Sequence, residues 1–389
     1  MSLKTLLKKN PLTYRAARLV QAAPYPLLTG LCALFHRHFG IDGKAVFFAS
    51  FNGTQYNDNP RAVAEALHRL RPDVRILFCL NERGMGNPDI PDYVEKLPRR
   101  SLRALKAMST ARVLVKNAEF KPWMRKFPGQ FYVQTWHGDR GFKRIRLDKQ
   151  PADPAPMLRE GQWIDLAVAG SDFGAGVYRS GMAVQGEILT CGCPRNDLLL
   201  QNPPEVARRV RRALGIPEDA KVLLYAPTFR FSNSGGAQSA DISLKKLRTT
   251  LERATGDRWI CVTRSHELNR GVRSDADLDA THWPETGELL LAVDMIVTDY
   301  SSIGGDFMLL KRPVVFYEPD IDAYRAERGL YFDPDESPLL TAHTETELME
   351  LLSKPIDGPA NCRAVLEFFG TRESGRAAEI VAGRIAEML

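Results

Sequence analysis

Two histidines stand where strands should end. His137 lies in the loop 136–143, directly after the apolar run 132–135, and His266 follows Arg264 and Ser265 after the run Trp259–Thr263. A neutral imidazole in such a loop can take a proton from a hydroxyl near pH 7. The other histidines, His36, His38, His68, His282 and His343, have no such setting and read as surface or packing residues. A third stretch supplies what a base needs opposite it. Asp299, Tyr300, Ser301 and Ser302 follow the β-branched run Met295–Thr298 and precede an expected helix over 303–310. A strand entering a polar turn and then a helix start offers backbone N–H groups and hydroxyls to an anion. The same residue types also serve as an ordinary helix cap, so this turn alone does not choose. Thr228 and Arg230 close the segment 225–230, past another strand, and Arg264 closes the strand at Trp259. Each arginine suits either a bidentate phosphate contact or a surface ion pair.

The elements that must hold these groups alternate between strand and helix. Apolar runs at 45–50, 74–80, 113–116, 132–135, 166–169 and 188–190 are separated by helical patterns such as 60–70. A second series runs through 222–225, 259–263, 295–298 and 314–317. Alternating β and α elements predict mainly parallel sheets covered on both faces, with ligands beyond the carboxyl ends of the strands. The expected fold class is therefore α/β, with two Rossmann-like domains facing across a cleft. The first spans residues 41–198 and the second 199–370, with a hinge at the stretch 192–197, GCPRND. A last helix within 371–389 is expected to dock back on the first domain. The Ser-, Gly- and Asn-rich stretch 232–239 reads as a mobile loop.

At 389 residues two domains are expected, and 44% hydrophobic with 26% charged residues describes a globular chain. A net charge of +6 is modest for this length, and no nucleic-acid module is present. The six cysteines are scattered through mostly apolar runs, as buried thiols are; Cys191 and Cys193 lack a second Cys/His pair at a ligand spacing. No run of about 20 apolar residues exists to span a membrane, and Gln21, Pro24 and Pro26 interrupt any signal-peptide pattern. Residues 1–40 stand apart. They carry Lys4, Lys8, Lys9, Arg15, Arg18 and Arg37 among leucines and aromatics, with no acid before Asp42. Such a segment suits the surface of an anionic membrane, or simple packing on its own domain.

A P-loop, a G-x-S-x-G elbow and an H-E-x-x-H helix are all absent. Instead SFNGTQYNDNP, QTWHG with a later lysine, GCPRND, LYAPTFR, the Arg-x-His at Arg264, and VTDYSSIGGDF through FYEPDIDAYRAERGLYFD occur in order between Phe47 and Asp333. In these motifs the chain resembles the CDP-glycerol glycerophosphotransferase family of teichoic-acid and capsule synthesis. The resemblance implies a GT-B fold with the nucleotide donor in the second half and the acceptor in the first. It implies transfer of an alditol phosphate from CDP-glycerol or CDP-ribitol to a hydroxyl of a prenyl-diphosphate-linked or glycan acceptor, with CMP released. His137 becomes the general base and His266 a contact to the donor diphosphate. Thr228, Arg230, Arg264, Asp299, Ser301 and Ser302 would line the donor site, with Gly138 and Lys143 also at the substrate. No cofactor is required on this reading, with Mg²⁺ left open, and the protein would sit peripherally on the cytoplasmic face of a bacterial membrane. Two departures stand out. Asp139-Arg140-Gly141-Phe142-Lys143 replaces the usual Thr-Pro-Leu-Lys, and Glu267 replaces the usual proline after the second histidine. A nucleotide-sugar glycosyltransferase of the same fold, or a membrane-bound scaffold with a dead donor site, are the rival readings.

Overall fold

The structure, a computed structural model, describes residues 25–228, 242–264 and 275–389. His266, Arg230, Glu267, the basic residues before Tyr25 and the stretch 232–239 lie outside the described residues.

The first lobe is built on a parallel sheet of β1 (Asp42–Ala49), β2 (Arg75–Leu80), β3 (Val94–Pro98), β4 (Ala111–Lys116), β5 (Phe131–Gln134), β6 (Leu166–Ala169) and β7 (Glu187–Thr190), in the spatial order β3-β2-β1-β4-β5-β6-β7. The second sheet holds β8 (Lys221–Ala226), β9 (Trp259–Thr263), β10 (Leu278–Asp279), β11 (Met295–Thr298), β12 (Val314–Tyr317) and β13 (Thr341–Ala342), ordered β10-β9-β8-β11-β12-β13. Central strands such as Val314–Tyr317 are buried along their whole length, as sheets covered on both faces require. The strand order reverses at β1/β4 and at β8/β11, and the loops after β4 and β11 therefore open into crevices.

The edge strands β3, β10 and β13 escape the sequence reading. VEKLP carries two charges and ends in proline, and the other two are two residues long. His137 accordingly follows the fifth strand in chain order, not the fourth. The helix expected over 303–310 is α-helical through Ile303–Phe307 and tightens to a 3₁₀ turn over Met308–Leu310.

The C-terminal helix begins at Ala377, not Thr371, and runs to Ala386. Its Ala377, Ala378, Val381, Ala382 and Ile385 are buried in the core of the first lobe, beside Val63 and Leu67 of the helix Asp58–Leu70. Asp197 carboxylate oxygens accept from the Ala377 and Ala378 N–H groups at 2.9 and 2.7 Å, anchoring the start of that helix. The segment read as a hinge is thus a bonded crossing between lobes. The helix Tyr25–Phe39 lies against the helix Leu102–Thr110, burying Cys32. Thr29 donates to the Trp123 carbonyl at 2.9 Å, and His36 stacks on Phe127 at 4.7 Å. Leu27, Leu34 and Phe39 stay exposed on its other side. Among the described residues no helix is long and apolar enough to cross a membrane, and all six cysteines are free and buried.

Candidate active site

The turn after β5 is wound tightly. Trp136 adopts φ +47°, and its N–H donates to Gln134 Oε1 at 2.9 Å. Asn59 Nδ2 holds the Trp136 carbonyl at 3.0 Å. This aims His137 at the end of β4, where the Asn117 carbonyl lies 2.6 Å from Nδ1. A carbonyl can only accept, so Nδ1 carries the proton and Nε2 keeps its lone pair. Asn117 is itself fixed: its Oδ1 accepts from the Phe51 N–H at 2.7 Å and its Nδ2 donates to Asp58 Oδ1 at 2.9 Å. Phe51 and Asn52 have φ +45° and +59°, which turns the loop after β1 back onto Asn117. Desolvation lowers the His137 pKa, against the Asn117 carbonyl and the Asp58 charge, which raise it. The ring is therefore neutral at pH 7, as a base must be.

The turn after β11 faces it from the other lobe. A Cβ placed on Gly138 would stand 2.8 Å from Ser302 Oγ, and one on Gly141 would stand 3.7 Å from Ser302 Cβ. Only a glycine lets the two turns approach this closely. A Cβ on Gly305 would meet Arg140 Cβ at 2.8 Å, so the first turn of the helix Ile303–Phe307 is interlocked with the same segment. The base turn and the serine turn are thus in contact across the two lobes.

The unusual Asp139-Arg140 pair proves to be interior. Arg140 is 1% exposed, and its Nη2 donates to Asp306 Oδ1 and Glu373 Oε1, both at 3.0 Å. Arg195 donates to Asp306 Oδ2 at 2.7 Å and to Asp58 Oδ2 at 2.8 Å. Asn196 Nδ2 adds bonds to Asp306 and Glu373, both at 2.9 Å. Burial alone would raise the Asp306 pKa, but Arg195 and Arg140 outweigh it and hold the carboxylate below its usual range. Asp139 has no such excess of cations. Burial pushes it up to about 6, although it accepts from Ser171 Oγ and the Gly170 N–H at 2.9 Å. A chain of bonds therefore runs from the second lobe to the base: Asp306, Arg195, Asp58, Asn117, His137. No local pattern announces it, because its members lie far apart in the chain.

Other expected site residues also make bonds within the frame. Asp299 accepts from the Thr228 N–H at 2.9 Å and from Thr228 Oγ1 at 3.1 Å, tying the loops after β8 and β11 together. Arg264 donates to the Ala280 and Trp283 carbonyls at 3.2 and 2.9 Å and to Thr286 Oγ1 at 3.0 Å. Its guanidinium anchors the 280–286 loop. Ser301 Oγ accepts from the Ile303 N–H at 3.4 Å, and Ser302 opens the helix. Lys143 is exposed, and its backbone pairs with Leu330 of the other lobe. Sequence reasoning overlooked Glu318, one residue past β12. It is fully buried, and among the described residues neither carboxylate oxygen has a hydrogen-bond partner. Burial pushes it up to about 8, with Asp299 adding to the shift and His343 opposing it. Among the described residues no group of three His, Cys, Asp or Glu side chains is placed to hold a metal ion.

The family profile of CDP-glycerol:poly(glycerophosphate) glycerophosphotransferases matches residues 31–387. The chain belongs to this family. It is 30% identical over 373 residues to a teichoic acid poly(glycerol phosphate) polymerase of Bacillus subtilis (strain 168), covering 89% of this chain and 49% of that protein. The chain thus spans about half the length of that relative. A teichoic acid glycerol-phosphate transferase of Staphylococcus aureus (strain NCTC 8325 / PS 47) is 32% identical over 362 residues, covering 86% of this chain and 90% of that one. Among solved structures, the wall teichoic acid polymerase TagF superposes with a TM-score of 0.80 at 26% identity, covering 100% of this chain and 98% of that one. One of these structures is a His-to-Asn variant soaked with CDPG. The superposition and the two facing parallel sheets make the fold GT-B.

Proposed function

We propose that the chain transfers glycerol phosphate from CDP-glycerol to a hydroxyl of a lipid-linked or polymeric acceptor, releasing CMP. The observation that carries this reading is the meeting of the His137 turn with the Ser302 turn, 2.8 Å from a Gly138 Cβ to Ser302 Oγ. Donor phosphates at the serine turn would place the phosphorus next to the imidazole. His137 Nε2 takes the proton of the acceptor hydroxyl as its oxygen bonds to the glycerol-bearing phosphorus. The bond from that phosphorus to the bridging oxygen breaks, and CMP leaves with the electron pair. General-base assistance of this kind contributes ~10²–10⁴ in rate. Ser301, Ser302 and the helix-start N–H groups hold the phosphoryl charge in line, with Arg230 and His266 assigned to the same diphosphate. Thr228, Asp299 and Arg264 set the shape of that site and do not need to touch the donor. On this reading no resident cofactor is required.

Glycerol is favoured over ribitol because both relatives described above are named for glycerol phosphate. Peripheral attachment to an anionic bilayer completes the reading. The exposed Leu27, Leu34 and Phe39 and the basic residues before Tyr25 support it. Removal of residues 1–24 then weakens sedimentation with anionic vesicles; unchanged sedimentation of the truncated chain refutes the role of its basic residues, and a full chain that does not sediment refutes the attachment. The function is tested by mass spectrometry of products formed from CDP-glycerol, CDP-ribitol and a UDP-sugar with a prenyl-diphosphate-linked acceptor. The expected product gains one or more glycerol phosphate units. A sugar without phosphate in the product would overturn the proposal.

A further inference from the structure

On that reading, the open question is what holds the acceptor while its hydroxyl reaches His137. The chain beyond the base leaves the Ser302 contact at Gly141 and is then stitched to the second lobe. The Tyr331 N–H donates to the Phe142 carbonyl at 2.9 Å, the Arg144 N–H to the Gly329 carbonyl at 3.0 Å, and Arg144 Nε to the Leu330 carbonyl at 3.2 Å. Tyr331 Oη donates to Asp148 at 2.6 Å. Beside this seam is a pocket of about 410 Å³, lined by Arg144, Arg325, Gly329, Leu330, Phe332 and Asp333. Its floor is apolar and its rim is cationic. Asp333 is its acid, and Arg325 already holds it at 2.9 Å.

More cations crowd the same place. Lys143 and Arg144 come from the first lobe, as does Lys149 at the end of the 3₁₀ turn Arg146–Lys149. Arg328, with Glu327 at 3.1 Å, comes from the second. Among the described residues Lys143, Arg144 and Lys149 make no ion pair. Desolvation, then Arg328, holds the Lys143 ammonium below its usual pKa, with Asp299 opposing. Desolvation, then Arg328 and Lys143, does the same for Lys149, with Glu327 opposing. Cations from two lobes that depress one another have been brought together against their repulsion, and an anion would relieve it.

We infer that the pocket at Arg144 and Arg325, with Lys143, Lys149 and Arg328 around it, is the docking site for the phosphodiester groups of an anionic acceptor chain. The position favours the acceptor over the donor. The cations follow the base in sequence and lie on the seam leading away from the serine turn, so a chain whose terminal hydroxyl is at His137 would lay its earlier phosphates along them. The apolar floor of Leu330 and Phe332 suits the carbon backbone between phosphates.

The experiment uses the full chain with a synthetic hexa(glycerol phosphate) oligomer as acceptor and compares it with Lys149→Ala/Arg328→Ala and the charge reversal Lys149→Glu. Loss of a cation from a phosphate contact is expected to raise the KM for the oligomer about five- to tenfold per site, with kcat at saturation changed less than about twofold. The KM for the oligomer also rises with salt, and less steeply in the double variant. An unchanged KM for the oligomer overturns the inference. So does a rise in the KM for CDP-glycerol instead, which would assign these cations to the donor, or a loss confined to binding of phosphatidylglycerol vesicles, which would assign them to the membrane. Calorimetric binding of the oligomer decides the matter separately from transfer. If no variant nor the unaltered chain transfers glycerol phosphate, but the oligomer binds and the variants weaken it, the pocket stands and the proposed reaction falls.

Discussion

Replacing Gly138 by alanine probes the meeting of the lobes with a single methyl group. Gly138 is not in the left-handed region, so its backbone accepts alanine and any effect comes from contact. The new Cβ would lie 2.8 Å from Ser302 Oγ but 3.4 Å from Ser302 Cβ. The first distance is a clash and the second is ordinary contact. Overpacking of this size costs about 1–3 kcal/mol when neighbours cannot yield. The Ser302 hydroxyl can swing away in part, which favours the lower half of that range. Removing the hydroxyl removes the clash, so Gly138→Ala/Ser302→Ala should be as stable as Ser302→Ala to within about 0.5 kcal/mol. Urea unfolding of all four proteins gives the cycle. Turnover of Gly138→Ala should also fall, on the order of 10²-fold for a displacement near 1 Å at the base. Gly138→Ala as stable and as active as the unaltered chain would refute the packing argument. A double variant as unstable as Gly138→Ala would do so too.

Other outcomes follow from the same geometry. Asp58→Asn removes an anion that raises the His137 pKa, so the acid limb of the rate–pH profile should move to lower pH; a shift to higher pH would contradict the relay. Asp306→Ala leaves Arg140 and Arg195 facing each other without their shared carboxylate, and should cost about 3–5 kcal/mol in urea unfolding. Arg264→Ala removes a donor from the Trp283 carbonyl and the Thr286 hydroxyl, and one of two donors from the Ala280 carbonyl, and should lower stability by about 1–3 kcal/mol; a raised KM for CDP-glycerol with unchanged stability would instead make Arg264 a donor contact. Glu318 binds its proton more tightly folded than unfolded, so it subtracts stability as pH rises from the usual glutamate range through about 8. Glu318→Gln should therefore raise the melting temperature at pH 8.5 and leave it nearly unchanged at pH 5.

Much of the frame was legible because buried parallel strands announce themselves as unbroken apolar runs. VVFY and MIVT could hardly be anything else, whereas VEKLP and the two-residue strands carry no such signal. His137 was legible from its place after a strand. Its tautomer was not, since that depends on a backbone carbonyl twenty residues away, at Asn117. Arg264 sits at a strand end like a phosphate ligand, yet its bonds go to a loop that only the fold brings near. Arg140 shows in sequence only as a departure from the family motif, yet it is buried against carboxylates 166 and 233 residues away. Glu318 is invisible in sequence because burial without a partner is a property of the packed chain alone.

The proposed reaction turns on one imidazole from the first lobe that deprotonates an acceptor hydroxyl beside a diphosphate held by the second. Its most direct measurement is the single-turnover rate of glycerol phosphate transfer by His137→Ala, with CDP-glycerol binding measured on the same sample. The rate should fall by ~10²–10⁴ with donor affinity and unfolding midpoint retained. Transfer at the unaltered rate would contradict it.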